Sequence, residues 1–244
     1  RHARAESPAL IGTLVTELPP GPVAVWDRGG RPVVEISGGT LSSASEEAVL
    51  SGANALAVLG GAGGLEVLQF AGAELVGPRR YRLSMLLRGQ QGPDVAARAP
   101  TPAGSRVVLI DDALLPLPLT LDEIGIGFSY AALPAGHALD SLARVDLAHT
   151  ATARGLMPFA PVHGRAKRLA GGEVQFTWIR RTRIGGDGWR EGDVPLSEER
   201  EDYLAELLDE AGVARWSATV ASPEAMITAA QETAAFGGPQ ALFR

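Results

Sequence analysis

The stretch ALAVLGGAGGLEVLQFAGAELVGPRRYRLSMLLR, residues 55–88, indicates the fold class of this chain. Short apolar runs alternate with glycine- and proline-containing turns, a pattern typical of β-strands joined by hairpins. LEVLQF (65–70) has no cleanly polar face, so this strand is expected to be covered on both sides. YRLSMLLR (81–88) alternates as a half-buried strand does, with one face formed by Tyr81, Leu83, Met85 and Leu87 and the other by Arg82, Ser84, Leu86 and Arg88.

The glycine-rich GGAGG (60–64) inside this stretch could also be considered as a phosphate-binding loop. It lacks the Lys-Ser/Thr ending of a Walker motif and the full dinucleotide fingerprint. It is therefore interpreted as a hairpin loop between two strands.

Other segments show the same pattern. VAVW (23–26) and PVVEI (32–36) flank a turn with glycines that tolerate positive φ, which predicts a hairpin. RVVLIDDALLPLPLTL (106–121) is apolar but carries prolines at 116 and 118, which exclude a helix interior and favour edge strands. IGIGFSYAAL (124–133) is a further strand candidate.

The last third of the chain also contains strand patterns. GEVQFTWIRR (172–181) and ARWSATVAS (214–222) alternate apolar and polar residues as sandwich strands do. DYLAELLD (202–209) is ambiguous, because its apolar residues fit either a helical stripe or a strand face. The chain is therefore predicted to be mainly β.

Two stretches indicate the domain organisation. AARAPTPAG (96–104) is interpreted as a linker or exposed loop, and ATARGLMPFAPVHG (151–164) as a domain boundary. The chain begins with Arg1 without a starting Met or a signal peptide, and it ends where a sandwich would be expected to continue. These ends lead us to expect a piece of a longer protein.

Composition excludes several classes of protein. The chain has 244 residues with 45% apolar residues, no run long enough for a membrane-spanning helix, and no cysteine. The missing cysteine excludes disulfides, thiolate metal sites and a cysteine nucleophile. The net charge of −6 argues against general nucleic-acid binding. Lys167 is the single lysine, so an arginine cluster carries less functional information than usual.

No catalytic, cofactor or metal site is expected from the residues. Gly-x-Ser-x-Gly is absent, and the four histidines are scattered without metal-ligand spacing. The pairs Asp111-Asp112 and Asp122-Glu123 are interpreted as solvated turn residues rather than an acid–base pair. The basic strand end around Arg180–Arg183 and the acidic run 197–210 are expected to compensate one another, with nucleic-acid binding as the less favoured alternative.

Two long motifs add a resemblance to these patterns. The first is VLSGANALAVLGGAGGLEVLQFAGAELVGPRRYRLSMLLRGQQG (49–92), and the second is LMPFAPVHGRAKRLAGGEVQFTWIRRTRIGGDGWREGDVPLSEEREDYLAELLD (156–209). Together they resemble the C-terminal part of the large tail-tip, or baseplate, protein of phage-like gene transfer agents. That family is often labelled "glycoside hydrolase/phage tail" or host specificity protein. The likeness covers most of residues 32–244.

The resemblance implies consecutive β-sandwich or β-barrel-like domains. A tail-hub-type domain is expected at 1–154, with a candidate break between subdomains near 96–104. A fibronectin type III-like sandwich, incomplete at its C-terminus, is expected at 155–244. The hydrolase label belongs to a TIM-barrel-like region, and this chain shows no such βα repeat, so no catalytic residue is carried over.

The implied role is architectural. The family assembles around the tail axis, and a homotrimer is expected, in contact with the baseplate hub and distal tail proteins. The expected location is the tail tip of a virion-like particle, assembled in the cytoplasm of a bacterial producer. There the apparatus meets the recipient cell envelope, including its polysaccharide, and delivers DNA without sequence-specific nucleic-acid recognition.

Candidate interface residues follow from this resemblance. FTWIRRTRIGGDGW (176–189) is expected to be a sandwich strand and turn with Trp178 in the core. The resemblance favours a strand at DYLAELLD, whose outer face would be unusually apolar and could contact another subunit. The expected interface residues are Arg180, Arg181, Arg183, Leu204 and Leu208.

A carbohydrate-binding or adhesion module is the alternative function. Trp26, Trp189 and Trp216 could stack on sugar rings. An exposed pair of these tryptophans beside carboxylates would favour sugar binding, and buried tryptophans would favour a structural role. An enzyme is the third alternative, which a cleft with two facing carboxylates would support.

Overall fold

The computed structural model describes residues 3–61, 64–92, 94–185, 193–241 and 243. The chain divides into two compact units, Arg1–Met157 and Pro158–Arg244. This division falls inside the stretch 151–164, whereas the sequence analysis set it at 154/155. The fold is mainly β with several separate sheets, which confirms the predicted fold class.

The N-terminal unit contains a closed antiparallel barrel. Its strands lie in the order β1-β2-β5-β4-β3-β6, and every neighbouring pair is antiparallel. Closure leaves none of these strands with an unpaired edge, which protects them from pairing with other chains. The strands are β1 (Ile11–Leu14), β2 (Val33–Ile36), β3 (Ala55–Gly61), β4 (Gly64–Gly77), β5 (Arg80–Gln90) and β6 (Arg106–Ile110).

The barrel interior is filled by alternate residues of these strands, because successive strand residues point to opposite faces. Val34 and Ile36 of β2 and Leu56 and Val58 of β3 are nearly inaccessible to solvent. Phe70 of β4 lies fully buried in the same cluster. The expected covering of LEVLQF on both sides is confirmed for Leu68, Gln69 and Phe70, which are all buried, whereas Leu65 at its start is 44% exposed.

Strand β5 departs from the predicted alternation at Met85. Met85 has a φ of 53°, a left-handed conformation that a β-strand does not normally contain. Tyr81 and Leu83 precede it and face the barrel core, and beyond it Leu86, not Leu87, joins that core. Met85 and Leu87 instead belong to a second apolar cluster. The prediction that Met85 and Leu87 share a face with Tyr81 and Leu83 is therefore wrong.

The same irregularity buries Arg88, because Arg88 lies two residues beyond Leu86 and shares its side of the strand. Its side chain is fully buried and pairs with Glu66, with Nε–Oε1 at 2.6 Å and Nη2–Oε2 at 2.9 Å. Its Nη1 donates to the carbonyl of Pro19 at 3.0 Å and lies 3.4 Å from Asp27 Oδ2. Such a buried charge is tolerated because its donors are paired with carboxylates and a backbone carbonyl.

Asp27 connects this network to the backbone of the preceding loop. Its Oδ1 accepts hydrogen bonds from the N–H groups of Gly29 and Gly30, at 3.0 and 2.8 Å. A Cβ at Gly30 would lie 2.5 Å from Asp27 Oδ2, so this position needs glycine.

The predicted hairpin of 23–26 with 32–36 is wrong, because β2 pairs with β1 and β5. The segment 23–27 makes only isolated bridges to β5.

The segment 96–104 is part of the barrel unit rather than a linker. A 3-10 helix covers Asp94–Arg98 and buries Ala96 and Ala97. Thr101 is buried and exchanges two backbone hydrogen bonds with Leu18, both at 2.9 Å. Since β6 follows this segment and pairs with both β1 and β3, the segment lies within one closed barrel.

A separate hairpin follows the barrel within the N-terminal unit. Strands β7 (Gly127–Ala132) and β8 (Val145–Thr150) pair only with each other among the described residues. β8 is exposed along its whole length, with Val145 and Leu147 both 64% accessible. A two-stranded hairpin is marginally stable by itself, so this arm is suited to being covered by another element.

The C-terminal unit consists of two small sheets and a helix. The order β13-β10-β9 forms one sheet, and β11 pairs with β12 in the other. The predicted strands at 172–181 and 214–222 are present, and DYLAELLD forms a strand, as the resemblance favoured. The elements are β9 (Val162–Arg168), β10 (Val174–Ile179), β11 (Tyr203–Leu208), β12 (Ala214–Val220), β13 (Glu224–Ile227) and the helix α2 (Ala229–Phe236). The helix α1 (Glu46–Leu50) belongs to the N-terminal unit, between β2 and β3.

The two sheets share one small core. Val174 of β10, Leu207 of β11 and Ile227 of β13 are buried together, and Trp216 and Phe236 pack against them.

Helix α2 is absent from the sequence predictions. Thr228 caps it through its hydroxyl, and Gln231 returns a side-chain bond to the Thr228 N–H. No helix of the described chain is both long enough and apolar enough to cross a membrane.

Candidate functional site

An open groove runs between the two sheets of the C-terminal unit. It has a volume of about 650 Å³ and is lined by residues of β9, β10, β11 and β12. The walls are mainly apolar, as is typical of clefts that bind ligands or peptides. Its aromatic lining residues are Phe159, Phe176, Trp178, Tyr203, Trp216 and Phe243.

Strand periodicity positions these aromatic side chains. Phe176 and Trp178 follow the buried Val174 at two-residue intervals, so all three share the inner face of β10. Trp178 meets Tyr203 of the other sheet edge-on, with ring centroids 5.2 Å apart. Phe176 meets Phe243 in the same way at 5.1 Å. Such edge-to-face pairs add about 0.5–1.5 kcal/mol to the burial of the rings.

The groove follows one edge of β11. Among the described residues, β12 is the only strand that pairs with β11, so its other edge has no partner. The groove is lined by inward Tyr203 and Ala205 and also by outward Leu204 and Glu206. Contact with residues of both faces is expected when a cleft lies along the edge of a strand.

The phenol of Tyr203 is held at the groove wall. Its hydroxyl donates to Glu201 Oε1 at 2.6 Å. Burial, followed by the hydrogen bond to Glu201, raises the pKa of Tyr203 to about 12. Tyr203 therefore stays a neutral hydrogen-bond donor across the physiological pH range.

The arginines at the end of β10 hold the neighbouring loops. Arg180 donates through Nη2 to Asp193 Oδ2 at 2.7 Å and to the Val194 carbonyl at 2.6 Å, and through Nη1 to the Pro195 carbonyl at 3.0 Å. The hydrogen bond between Arg180 and Asp193 raises the pKa of the guanidinium and lowers the pKa of the carboxyl. Arg180 thus fixes the segment that leads from residue 193 toward β11.

Arg181 and Arg183 act on two further segments. Arg181 donates through Nε to the Ala160 carbonyl at 2.9 Å, and its guanidinium lies 4.8 Å from the ring centroid of Phe159. Arg183 makes a forked pair with Glu198, at 3.1 and 3.2 Å from Nη2. The expected compensation between the arginines and the acidic run 197–210 is confirmed for Arg183, which pairs with Glu198, and for Arg180, whose Nε lies 3.6 Å from Glu201 Oε1.

The structure separates the expected interface residues into two groups. Arg180, Arg181 and Arg183 are engaged within their own chain and position the loops beside the groove. Leu204 and Leu208 point outward from β11 and are 66% and 40% exposed. Of the expected interface residues, the two leucines form an exposed apolar surface that a partner could cover, whereas the arginines are already engaged within the chain.

Sequence reasoning missed several groove residues. Phe159 and Phe243 lie outside the strands, where no periodicity marks them. Trp26 and Trp216 are half-buried and pack against apolar clusters, so they do not form the exposed pair that would favour sugar stacking. Trp189, the third tryptophan considered for sugar binding, lies outside the described residues, as does most of the turn that follows Arg183.

Comparison with known families gives one match. Residues 9–108 match the family model described as Rcc01698-like, C-terminal. This region contains nearly the whole barrel and the motif 49–92. No curated protein matches the chain. Over its barrel, the chain is therefore similar to a family of phage-like proteins associated with gene transfer agents.

Proposed function

We propose that this chain is a structural part of the tail tip, or baseplate, of a phage-like gene transfer agent. In this role it assembles around the tail axis as a homotrimer, in contact with the baseplate hub and distal tail proteins. It takes part in attachment to the recipient cell and in DNA delivery, and its location is the tail of the particle. The proposal assigns no catalytic step to this chain, and it includes the fibronectin type III-like character of the C-terminal unit.

The family match carries this proposal. The matched residues 9–108 include the motif 49–92, so the resemblance and the match rest on the same barrel. The exposed apolar residues add a physical argument. Leu147 on the β7–β8 hairpin and Leu204 on β11 are each more than 60% exposed, on strands that a neighbouring subunit could cover.

Mass measurement by light scattering tests the assembly. The chain is measured alone and after mixing with the purified hub and distal tail proteins of the same particle. We expect a defined complex with three copies of the chain. A chain that stays monomeric and binds neither protein would contradict the proposal.

A matched pair of variants locates the contact. Leu204→Asp introduces a charge on the outer face of β11, where it would be buried by a partner. Leu75→Asp is the control, because Leu75 is 63% exposed on the barrel and Leu204 is 66% exposed. We expect at least a tenfold weaker complex for Leu204→Asp and little change for Leu75→Asp. Equal effects of the two variants would exclude the outer face of β11 as the contact.

Binding of cell-surface polysaccharide is the second candidate, and the groove is the observation that favours it. Its aromatic lining lies beside Asp202 and Glu206, carboxylates that can accept hydrogen bonds from sugar hydroxyls. A glycan screen with the full chain tests this function. A hit that is lost in Trp178→Ala would support it, and a screen without hits would remove it.

A further inference from the structure

We infer that the groove of the C-terminal unit binds residues 114–121 of a second copy of this chain, added as an extended strand along the unpaired edge of β11. The inference depends on the self-assembly included in the proposed function. It goes further by naming the two surfaces that meet.

The groove has the properties of a site for an added strand. A strand edge exposes backbone N–H and C=O groups that can pair with another chain. Beside this edge lies a mainly apolar cleft, which would receive every second side chain of an added strand.

The segment LLPLPLTL (114–121) has the complementary pattern. It has no regular secondary structure before a short 3-10 helix that begins at Leu121. In an extended conformation its alternate residues share one face, and these exposed leucines are 40%, 54%, 37% and 75% accessible. They are Leu115, Leu117, Leu119 and Leu121.

The two prolines of the segment allow pairing on one edge only. In a strand, the N–H groups of alternate residues point to the same edge. Pro116 and Pro118 have no N–H, so the edge to which they belong cannot donate to a neighbour. The other edge keeps its donors at Leu115, Leu117 and Leu119. A docked segment would therefore pair with β11 and resist the addition of a further strand.

The length of the segment also matches the strand edge. β11 has six residues, about 20 Å of strand, and the segment from Leu115 to Leu121 spans about 23 Å when extended.

A second copy is the occupant that these observations favour. In the single chain, the four leucines are exposed and the groove is open. The leucines are apolar side chains that could fill the apolar groove. Docking between copies would cover both surfaces. It would also link the N-terminal unit of one copy to the C-terminal unit of the next.

Self-association of the full chain tests the inference first. Mass is measured by light scattering across a concentration series for the wild type, Leu117→Asp and Leu142→Asp. Leu142 is a matched control, because it is fully exposed but lies in the connection between β7 and β8. We expect the wild type and Leu142→Asp to associate, and Leu117→Asp to require at least tenfold higher concentration. Identical behaviour of the two variants would overturn the inference.

A labelled peptide with the sequence of residues 111–123 tests the groove itself. It is titrated onto the full-length Leu117→Asp chain, with Gly164→Trp or Gly238→Trp as a second substitution. A Cβ at either glycine would meet no atom within 4 Å, and only Gly164 lines the groove. We expect saturable binding that Gly164→Trp abolishes and Gly238→Trp leaves unchanged. A peptide with Asp at positions 117 and 119 should not bind.

Three other outcomes would overturn the inference. Peptide binding that survives Gly164→Trp would place the segment elsewhere. Peptide binding by a wild-type chain that remains monomeric at every concentration would exclude a second copy as the occupant. Wild-type association without peptide binding would show that the copies meet through another surface. Binding to the hub and distal tail proteins is measured separately, so a failure here leaves the proposed function standing.

Discussion

The two units of this chain contain similar strand patterns, but the first forms a closed barrel and the second forms two separate sheets. The N-terminal barrel closes on itself, and its core joins residues from all of its strands. The C-terminal unit divides its strands into a three-stranded and a two-stranded sheet, with a core of three buried residues. Closure removes exposed edges and favours stability, whereas the open arrangement leaves an edge and a groove that can bind a partner.

The arginines of the two units show the same contrast. Arg88 is fully buried in the barrel, and its contacts run to Glu66, Asp27 and a backbone carbonyl. Arg180 is 12% exposed and holds a loop at the surface of the C-terminal unit through Asp193. A buried ion pair is very sensitive to loss of one partner, because the other partner is left charged and buried. A surface pair is far less sensitive.

The largest expected effect follows from breaking the barrel network. Arg88→Met keeps much of the side-chain volume but leaves the buried carboxylates of Glu66 and Asp27 without their cation, so we expect a loss of about 3–5 kcal/mol in the free energy of unfolding. Urea denaturation measures this loss. Arg82→Met is the control, because its pair with Glu74 is exposed, and we expect a change below about 1 kcal/mol. A small effect of Arg88→Met would show that the network is not needed for stability.

A smaller loss is expected from the C-terminal core. Ile227→Ala truncates one of the three buried residues of the apolar cluster and should destabilise the unit by about 2–4 kcal/mol. Denaturation followed by tryptophan fluorescence detects this change, since Trp178 and Trp216 both belong to this unit. Leu204→Ala is the control, and its exposed side chain should change stability by less than about 0.5 kcal/mol. Similar losses for the two variants would contradict the assigned core.

The smallest expected effect concerns the ion pair that anchors α2. Arg168 donates to both carboxylate oxygens of Glu232 at 2.8 Å, and this hydrogen bonding lowers the pKa of Glu232. Because the pKa of Glu232 is lower in the folded protein than in the unfolded chain, the ionised carboxylate stabilises the fold. This contribution is fully present above the ordinary pKa of a glutamate. That contribution is lost as the pH falls through the folded value. We therefore expect the C-terminal unit to be less stable at about pH 3 than at about pH 6.

Glu232→Gln tests this dependence. The variant should be less stable than the wild type at about pH 6, by less than Ile227→Ala, and the difference should shrink at about pH 3. Glu224→Gln is the control, because Glu224 is exposed on β13 and should not alter the pH dependence. A Glu232→Gln variant with the pH dependence of the wild type would show that another group is responsible.

Local alternation predicted much of the fold. Val174, Phe176 and Trp178 were placed on one face of a strand, and they do share the inner face of β10. Period-two patterns succeed there because the strand is regular and one face is buried. The same reasoning failed in β5, where the left-handed Met85 exchanges the faces, and so misplaced Leu87 and Arg88. A methionine at position 85 does not indicate a left-handed backbone conformation, so this exchange of faces could not be predicted from the sequence.

The candidate groove was less predictable than the strands. Leu204 and Leu208 were identified as an outward apolar pair only because the family resemblance favoured a strand at 202–209, since the residue pattern alone also fitted a helix. Phe159 and Phe243 reach the groove from segments without periodicity, and Arg180, Arg181 and Arg183 turned out to hold their own loops. Contacts between residues far apart in the chain depend on how the sheets pack, and one strand's pattern does not contain that information.

The sequence by itself determined that this protein is mainly β and where most of its strands lie, because these properties depend on neighbouring residues. Tertiary structure decided that the first six strands close into a barrel and that the last five form two sheets with an open groove. It also decided that Arg88 is buried with Glu66 and Asp27. These outcomes depend on strand order, on one left-handed residue and on long-range packing, which are set only when the whole chain has folded.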